Sequence, residues 1–148
     1  MNKILIIIFV FIMGCGYQPI YVNKQQDNYV FKSIKLIGDR KINKKIVTAL
    51  NLKEDNNLVE ENKIILTSGK EIEETSKDSK GKVQSFRTLI NVKLIIQKNK
   101  KIVDTKKFSV NFSYNNKENN FDLANYQKEI ENNLTTQIIQ KILMHLSL

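Results

Sequence analysis

The stretch QSFRTLINVKLII, residues 84–96, decides the fold of this chain. Its even positions are almost all apolar, from Phe86 to Ile96, and successive side chains of a strand point to opposite faces. The odd positions include the polar and basic side chains Ser85, Arg87, Asn91 and Lys93. Such alternation is typical of a strand in an antiparallel sheet, with one face packed and the other in water.

A second alternating strand follows after the turn sequence Lys98-Asn99-Lys100-Lys101, so the two strands are predicted to form a β-hairpin. Its inward positions are predicted to be Phe108, Val110, Phe112 and Tyr114. Its outward positions are Ser109, Asn111 and Ser113. The hairpin is therefore placed at the centre of the fold, and its apolar face requires a covering layer.

The C-terminal segment supplies that layer. After a loop at residues 115–120, Asp122 is the expected N-cap, and apolar residues then recur every three or four positions. These residues are Leu123, Tyr126, Ile130, Leu134, Ile138, Ile142 and Leu146. A helix of about 25 residues is about 37 Å long, which is enough to lie across a four-stranded sheet.

The N-terminal half contributes two more strands and a helix. Residues 29–37 (YVFKSIKLI) are β-branched and aromatic and predict the first strand, and a further strand is predicted from residue 64 towards residue 74. Between them, residues 39–51 have helical spacing, with Asp39 or Asn43 as the N-cap. The apolar positions of this helix are Ile42, Ile46, Val47 and Leu50.

The element order is therefore β-α-β-β-β-α. A right-handed crossover makes the first two strands a parallel pair, and the remaining strands form an antiparallel meander. Because the other face of the hairpin is polar, both helices are expected on one face. The predicted fold class is α+β, a two-layer sandwich in which two helices pack on one face of a four-stranded mixed sheet.

The N-terminus has the features of a bacterial lipoprotein signal. Lys3 precedes ten uncharged apolar residues, 4–13, which is short of the ~20 residues that a membrane-spanning helix needs. The run ends in Ile12-Met13-Gly14-Cys15, which looks like a lipobox, and Cys15 is the only cysteine. The alternative is a buried apolar cysteine in a helix. Lipid attachment at Cys15 is favoured because the cysteine lies where the apolar run stops.

This signal predicts the domain organisation and the location. Residues 1–14 are expected to be a signal peptide, residues 15–28 a lipidated N-terminus and tether, and residues 29–148 a single α+β domain. Gly16 stands where an Asp would suggest retention in the inner membrane, so the outer membrane is expected.

The charge is basic and uneven. The chain has 24 Lys and Arg against 15 Asp and Glu. Residues 80–107 hold nine basic residues against Asp104 alone, whereas residues 54–78 hold eight acids against three lysines. A basic net charge suggests nucleic acid as a partner. The predicted export of the protein argues against nucleic acid and favours anionic lipid head groups. The alternative is a solvated surface in a lysine-rich chain.

The residues required by common enzyme classes are missing. His145 is the only histidine and lies near the end of the sequence, where a surface position is expected. No His/Cys/Asp cluster, phosphate-binding glycine loop or nucleophile elbow is present, so neither a metal nor a cofactor is expected. Glu71, Glu73 and Glu74 are interpreted as a solvated strand edge. The sequence favours a binding or assembly component.

The stretch that follows the apolar run, Cys15-Gly16-Tyr17-Gln18-Pro19-Ile20-Tyr21, has a cysteine-glycine-aromatic start followed by a proline and a second aromatic. This start resembles that of the lipopolysaccharide (LPS)-assembly lipoproteins, with the proline and aromatic of the alphaproteobacterial members. Further similar stretches are residues 38–40, 85–96, 112–116 and 138–143. The resemblance covers essentially the whole chain and rests on pattern and order.

The resemblance implies a role. Members of this family sit as a plug in the lumen of the large outer-membrane LPS-assembly β-barrel, help that barrel fold and help deliver LPS to the outer leaflet. The implied location is the outer membrane, lipid-anchored and facing the periplasm or the barrel lumen. Two alternatives remain: an auxiliary lipoprotein of another envelope lipid or polysaccharide transport complex, and a structural outer-membrane lipoprotein.

The polar face of the hairpin gives the candidate ligand contacts. Its cations point away from the helices, towards lumen or ligand, and a guanidinium or ammonium group suits the phosphates of LPS. The candidate contacts are Arg87 and Lys93 on this face, together with Lys98, Lys100 and Lys101 at the hairpin tip. The alternative is that these cations only keep the sheet face hydrated.

Overall fold

The computed structural model describes residues 29–147, which form the predicted α+β fold. The elements are β1 Val30–Phe31, β2 Ser33–Gly38, α1 Arg40–Ala49, β3 Lys53–Glu54, β4 Asn62–Lys77, β5 Val83–Lys98, β6 Lys101–Asn115 and α2 Asn120–Leu146. A four-stranded sheet has the order β2-β4-β5-β6, with β2 parallel to β4 and the other pairs antiparallel. Strands β1 and β3 form a separate parallel pair, which the sequence did not predict.

The two helices contact each other and pack on the sheet. The fully buried apolar side chains between the layers are Ile42, Ile46, Ile64, Leu66, Ile90, Leu94, Ile138 and Ile142. Thr88, the polar residue on the apolar face of β5, is buried with its hydroxyl 3.1 Å from that of Tyr114. Each buried hydroxyl thus satisfies the other. Within residues 29–147, neither helix combines the length and apolarity needed to cross a membrane.

Of the residues predicted to point inward on the second hairpin strand, all are buried except Phe112. Val110 lies opposite Ile90 and Phe108 opposite Val92, and all four are buried. Phe112 lies opposite the buried Thr88 but remains 46% exposed. The edge position alone does not explain this exposure, since the other inward residues of β6 are buried. A groove lined by Phe112 and residues of α2 leaves the Phe112 ring less covered.

The N-cap residues of the two helices agree with the prediction for α1 and differ from it for α2. Asp39 is the N-cap of α1, and its carboxylate accepts hydrogen bonds from the backbone of Lys41 and Ile42, both at 2.9 Å. The predicted cap of α2, Asp122, is wrong: Asn119 is the N-cap, and its side chain accepts a 2.8 Å bond from the backbone of Phe121. Asp122 lies in the first turn, where its negative charge favours the positive end of the helix dipole.

The turn between β2 and α1 requires glycine. Gly38 has φ +88°, and a Cβ built there would lie 1.8 Å from the carbonyl oxygen of Ser68 on β4. That carbonyl accepts a 3.1 Å hydrogen bond from the backbone of Asp39, the next residue. The close approach of the two backbones directs the chain out of the sheet and into α1.

Candidate functional site

One face of the sheet is open, because both helices pack on the other. On β4 the buried side chains are Ile64, Leu66 and Ser68, so the odd-numbered residues point away from the helices. The same parity holds on β5 and on residues 105–115 of β6, since their register pairs even with even and odd with odd residues. We call the surface formed by these odd-numbered residues the open face. No element within residues 29–147 covers it.

A shallow depression of about 420 Å³ lies in the middle of the open face. It forms where two rows of side chains cross the three strands. One row, Gly69, Asn91 and Ser109, is small, and the other, Thr67, Lys93 and Lys107, ends in two lysines. We call this site the lysine depression.

The two lysines of the depression are direct cross-strand neighbours. Lys93 on β5 lies opposite Lys107 on β6, and Lys93 is half-buried. Like charges placed directly opposite one another destabilise a sheet. An anion in the depression would relieve that repulsion, and the neighbouring Asn91, Ser109 and Thr67 supply neutral hydrogen-bonding groups. The arrangement suits a phosphate-type ligand.

Arg87, the second cation predicted on this face, lies elsewhere on it. Its Nε donates a 3.3 Å hydrogen bond to the hydroxyl of Ser113, and its partner residue on β4 is the acidic Glu73. Six residues of strand, about 20 Å, separate Arg87 from Lys93. The structure therefore places both predicted cations on the open face but does not bring them into one site.

The lysines of the hairpin turn lie at the end of the sheet. Asn99 and Lys100 both have positive φ, 49° and 65°, as in a type I′ turn. Lys98 forms an ion pair with Glu60 at 3.5 Å. Lys100 lines a separate depression of about 310 Å³, together with residues that include Lys32, Glu61 and Lys63. Lys98, Lys100 and Lys101 are thus distant from the lysine depression, since five strand residues span about 16 Å.

Sequence reasoning missed Lys107 as a site residue, although it counted the residue in the basic segment. Lys107 could have been found from the register of the hairpin, which decides the residue that faces Lys93. A two-residue turn at 99–100 pairs Lys98 with Lys101, and without a bulge Lys93 would face Lys106. A register shift between Ile96 and Gln97 moves the pairing by one residue, which places Lys107 opposite Lys93.

His145 has a structural partner. Its Nε2 lies 2.7 Å from Oδ2 of Asp104, and its ring meets Phe108 edge-on, so it links the end of α2 to β6. The side chain is partly exposed, at 24%, and it gains this partner because the helix returns along β6. Within residues 29–147, no three His, Cys, Asp or Glu side chains are grouped as metal ligands. Glu71, Glu73 and Glu74 are exposed, and Glu74 pairs with Lys77 at 2.9 Å.

The predicted signal peptide and tether, residues 1–28 with Cys15, lie outside the described residues. Lipid attachment at Cys15 therefore stays a prediction.

Comparison with solved structures identifies the fold. No protein-family model and no curated protein matches the chain. The crystal structure of rare lipoprotein B from Shewanella oneidensis is similar, with a TM-score of 0.60 and 12% identity over 78% of this chain and 93% of that one. The solution structure of lipoprotein B from Nitrosomonas europaea has a TM-score of 0.59 and 12% identity over 85% and 88%. The chain thus shares the fold of these lipoprotein structures.

Proposed function

We propose that this chain is a lipid-anchored envelope lipoprotein that assists an outer-membrane LPS-assembly β-barrel and the transport of LPS to the cell surface. The main support for this proposal is that the chain shares the fold of rare lipoprotein B. In this chain the helices cover one face of the sheet, and a polar face that bears lysines is left open. A hydrated barrel lumen or an anionic lipid is complementary to such a face. The lipobox at Cys15 supports attachment to the outer membrane, facing the periplasm or the lumen.

Co-purification tests the barrel partnership. The full chain, tagged at its C-terminus and expressed in its own bacterium, is extracted from membranes in mild detergent and recovered with its partners. We expect an outer-membrane LPS-assembly β-barrel as the main partner, identified by mass spectrometry. The matched control is Cys15→Ala, which should remain an unprocessed precursor and recover less barrel. Recovery of a different transport complex would favour the auxiliary-lipoprotein alternative, and recovery of no partner would favour a structural lipoprotein.

Within this function, we propose that the lysine depression holds phosphate groups of LPS. Lys93 and Lys107 supply two positive charges from adjacent strands, and Gly69 leaves the space above the sheet free. A Cβ at Gly69 would meet no atom within 4 Å, so a side chain can be added there without a clash. Arg87, held by Ser113 opposite Glu73, is the weaker candidate.

LPS binding by the detergent-solubilised chain tests the depression. Charge-driven contact predicts binding that weakens with salt, because exposed charges are screened. Gly69→Val fills the depression and should weaken binding at a melting temperature no lower than that of wild type, since glycine weakens a strand interior. Thr105→Val is the control for valine on the open face: it exchanges a hydroxyl for a methyl group outside the depression and fills no space there. Equal binding by wild type and both variants would exclude the depression and leave the barrel partnership untouched.

A further inference from the structure

Strand β6 is a long edge strand whose second half lacks the usual protection against pairing. It has 15 residues and forms one end of the sheet within the described part of the chain. Natural edges are kept short or carry charged residues. The other edges follow this rule: β2 has six residues, and β4 beyond its pairing with β2 carries Glu71, Glu73 and Glu74. In contrast, residues 108–115 of β6 (FSVNFSYN) contain no charge, proline or glycine.

The backbone groups that β6 presents outwards can be identified. The N–H of Asn116 donates to the carbonyl of Gln84 at 2.7 Å, in register with the hairpin. In an antiparallel pair, alternate residues exchange both backbone bonds with the partner strand. Even-numbered residues of β6 therefore bond to β5, and Ser109, Asn111, Ser113 and Asn115 direct their N–H and C=O groups away from the sheet.

We propose that β6 pairs antiparallel with β6 of a second copy of this chain, about a two-fold axis at Asn111. Only outward-facing backbone groups meet in this register, since Asn111 faces itself and Ser109 faces Ser113 of the other copy. On the helix side, Val110 faces Phe112 and Phe108 faces Tyr114. Such aromatic and β-branched pairs stabilise sheets. The interface closes on itself, as two-fold interfaces do.

Side chains on both sides of the edge fit a second copy better than an arbitrary strand. Phe112, 46% exposed here, would be covered by Val110 of the partner. Lys106 and Lys107 would lie opposite Asn116 and Asn115, so no lysines face each other across the axis. Beside the edge, a groove of about 180 Å³ between Phe112 and α2 is lined by residues that include Tyr126, Ile130 and Asn133. That groove leaves room along the strand for the partner's apolar row.

Disulfide cross-linking tests the register directly. The full chain is used in detergent, with Cys15→Ser so that the introduced cysteine is the only one. A hydrogen-bonded antiparallel pair has Cα atoms about 5.5 Å apart, within the range of about 4.4–6.8 Å that a disulfide spans. Asn111→Cys should therefore oxidise to a dimer. Ser109→Cys is the matched control: its copies would be four strand residues, about 13 Å, apart and should stay monomeric.

A pair of charge variants provides a second test of the dimer, and analytical ultracentrifugation measures the oligomeric state. Ser109→Lys with Ser113→Lys places like charges across the axis and should give a monomer. Ser109→Lys with Ser113→Glu places opposite charges there and should restore the dimer. Melting temperatures confirm that both variants are folded.

Three outcomes would overturn the proposal. The wild-type chain could be monomeric at every concentration, Ser109→Cys could cross-link as readily as Asn111→Cys, or both charge variants could sediment alike. Protection of an Asn111→Cys thiol by a barrel alone, with no dimer, would assign the edge to a foreign strand and refute the second copy. The inference does not rest on the LPS role, so failure of either leaves the other standing.

Discussion

Glu131 on α2 and Lys70 on β4 form an ion pair of 2.7 Å between Oε2 and Nζ. The other carboxylate oxygen lies 2.7 Å from Nζ of Lys41 at the start of α1. The Glu131 side chain is only 7% exposed, so one buried carboxylate connects the two helices and the sheet. Burial alone would raise the pKa of Glu131, but the hydrogen bonds and charges of Lys41 and Lys70 outweigh it and leave that pKa lowered.

Glu131→Gln is expected to destabilise the fold in a pH-dependent way. A hydrogen bond to a charged group contributes about 1.5–3 kcal/mol, so we expect a loss of that order at pH 7. Because the folded pKa lies below the unfolded value of about 4.3, the carboxylate's contribution is present above that pH and is lost as the pH falls through the folded pKa. Urea unfolding from pH 7 to pH 3 should show the two proteins converging at low pH.

The control for this prediction is Glu129→Gln, two residues away on the same helix and exposed. Its free energy of unfolding should stay within about 0.5 kcal/mol of wild type at every pH. A pH-independent cost of Glu131→Gln would contradict the role of its charge.

Gly38→Ala should be far more costly than Gly81→Ala. Both glycines have positive φ, +88° and +80°, where a side chain costs roughly 1–2 kcal/mol. Only at Gly38 would the new Cβ also meet backbone, the carbonyl of Ser68 at 1.8 Å. Thermal melts should show a modest loss for Gly81→Ala and a larger one, or no folding, for Gly38→Ala. Equal losses would mean that the β2–α1 turn can move away from β4.

Ile90→Ala and Ile138→Ala test the interface between the layers. Both side chains are fully buried, one on β5 and one on α2, so each substitution should cost about 2–5 kcal/mol. Arg87→Ala on the exposed side of β5 should stay within about 0.5 kcal/mol. A melting temperature within a degree of wild type for both isoleucine variants would contradict the observed register.

Periodicity made the layers of this fold predictable from sequence. The alternation of residues 84–96 and the helical spacing after Leu123 each define one apolar face, and burying the two faces leads to the two-layer sandwich. The predicted end of the first strand at residue 37 likewise lies within one residue of the observed end at Gly38, where glycine adopts the positive φ that the turn requires.

The candidate site was less predictable because it depends on pairing across strands. Both hairpin strands bury even-numbered residues, yet a two-residue turn pairs even with odd, so a bulge is required for both faces to be buried together. Its position between Ile96 and Gln97 decides that Lys107 faces Lys93. The Glu131 ion pairs are likewise hidden, since Glu131 and Lys70 are 61 residues apart.

Lys100→Gly is expected to stabilise the chain. Lys100 has φ 65° at the second central position of the type I′ turn, where glycine is preferred after asparagine. The strain energy removed at this positive φ should exceed the entropic cost of glycine, so the free energy of unfolding should rise by up to about 1 kcal/mol. Lys101→Gly, the next residue and already in β6, should instead lose stability. Urea midpoints compare the two, and a loss in both would argue against the turn type.

Lys107→Gln is expected to raise stability while it weakens LPS binding. Lys107 faces Lys93, and removing one of two directly opposed like charges should stabilise the sheet by about 0.2–1 kcal/mol at low salt. The same substitution removes one of the two charges proposed to hold phosphate.

A double-mutant cycle isolates the repulsion between these two lysines. Lys93→Gln, Lys107→Gln and the double variant are unfolded in urea at low and high salt, and LPS binding is measured on the same samples. The coupling should be unfavourable at low salt and vanish at high salt, because screening removes exposed Coulomb terms. Arg87→Gln, on the same face but opposite Glu73, should neither gain stability nor lose as much binding. If Lys107→Gln changed stability without changing binding, the lysine pair would be a feature of the sheet alone and the anion would have to bind elsewhere.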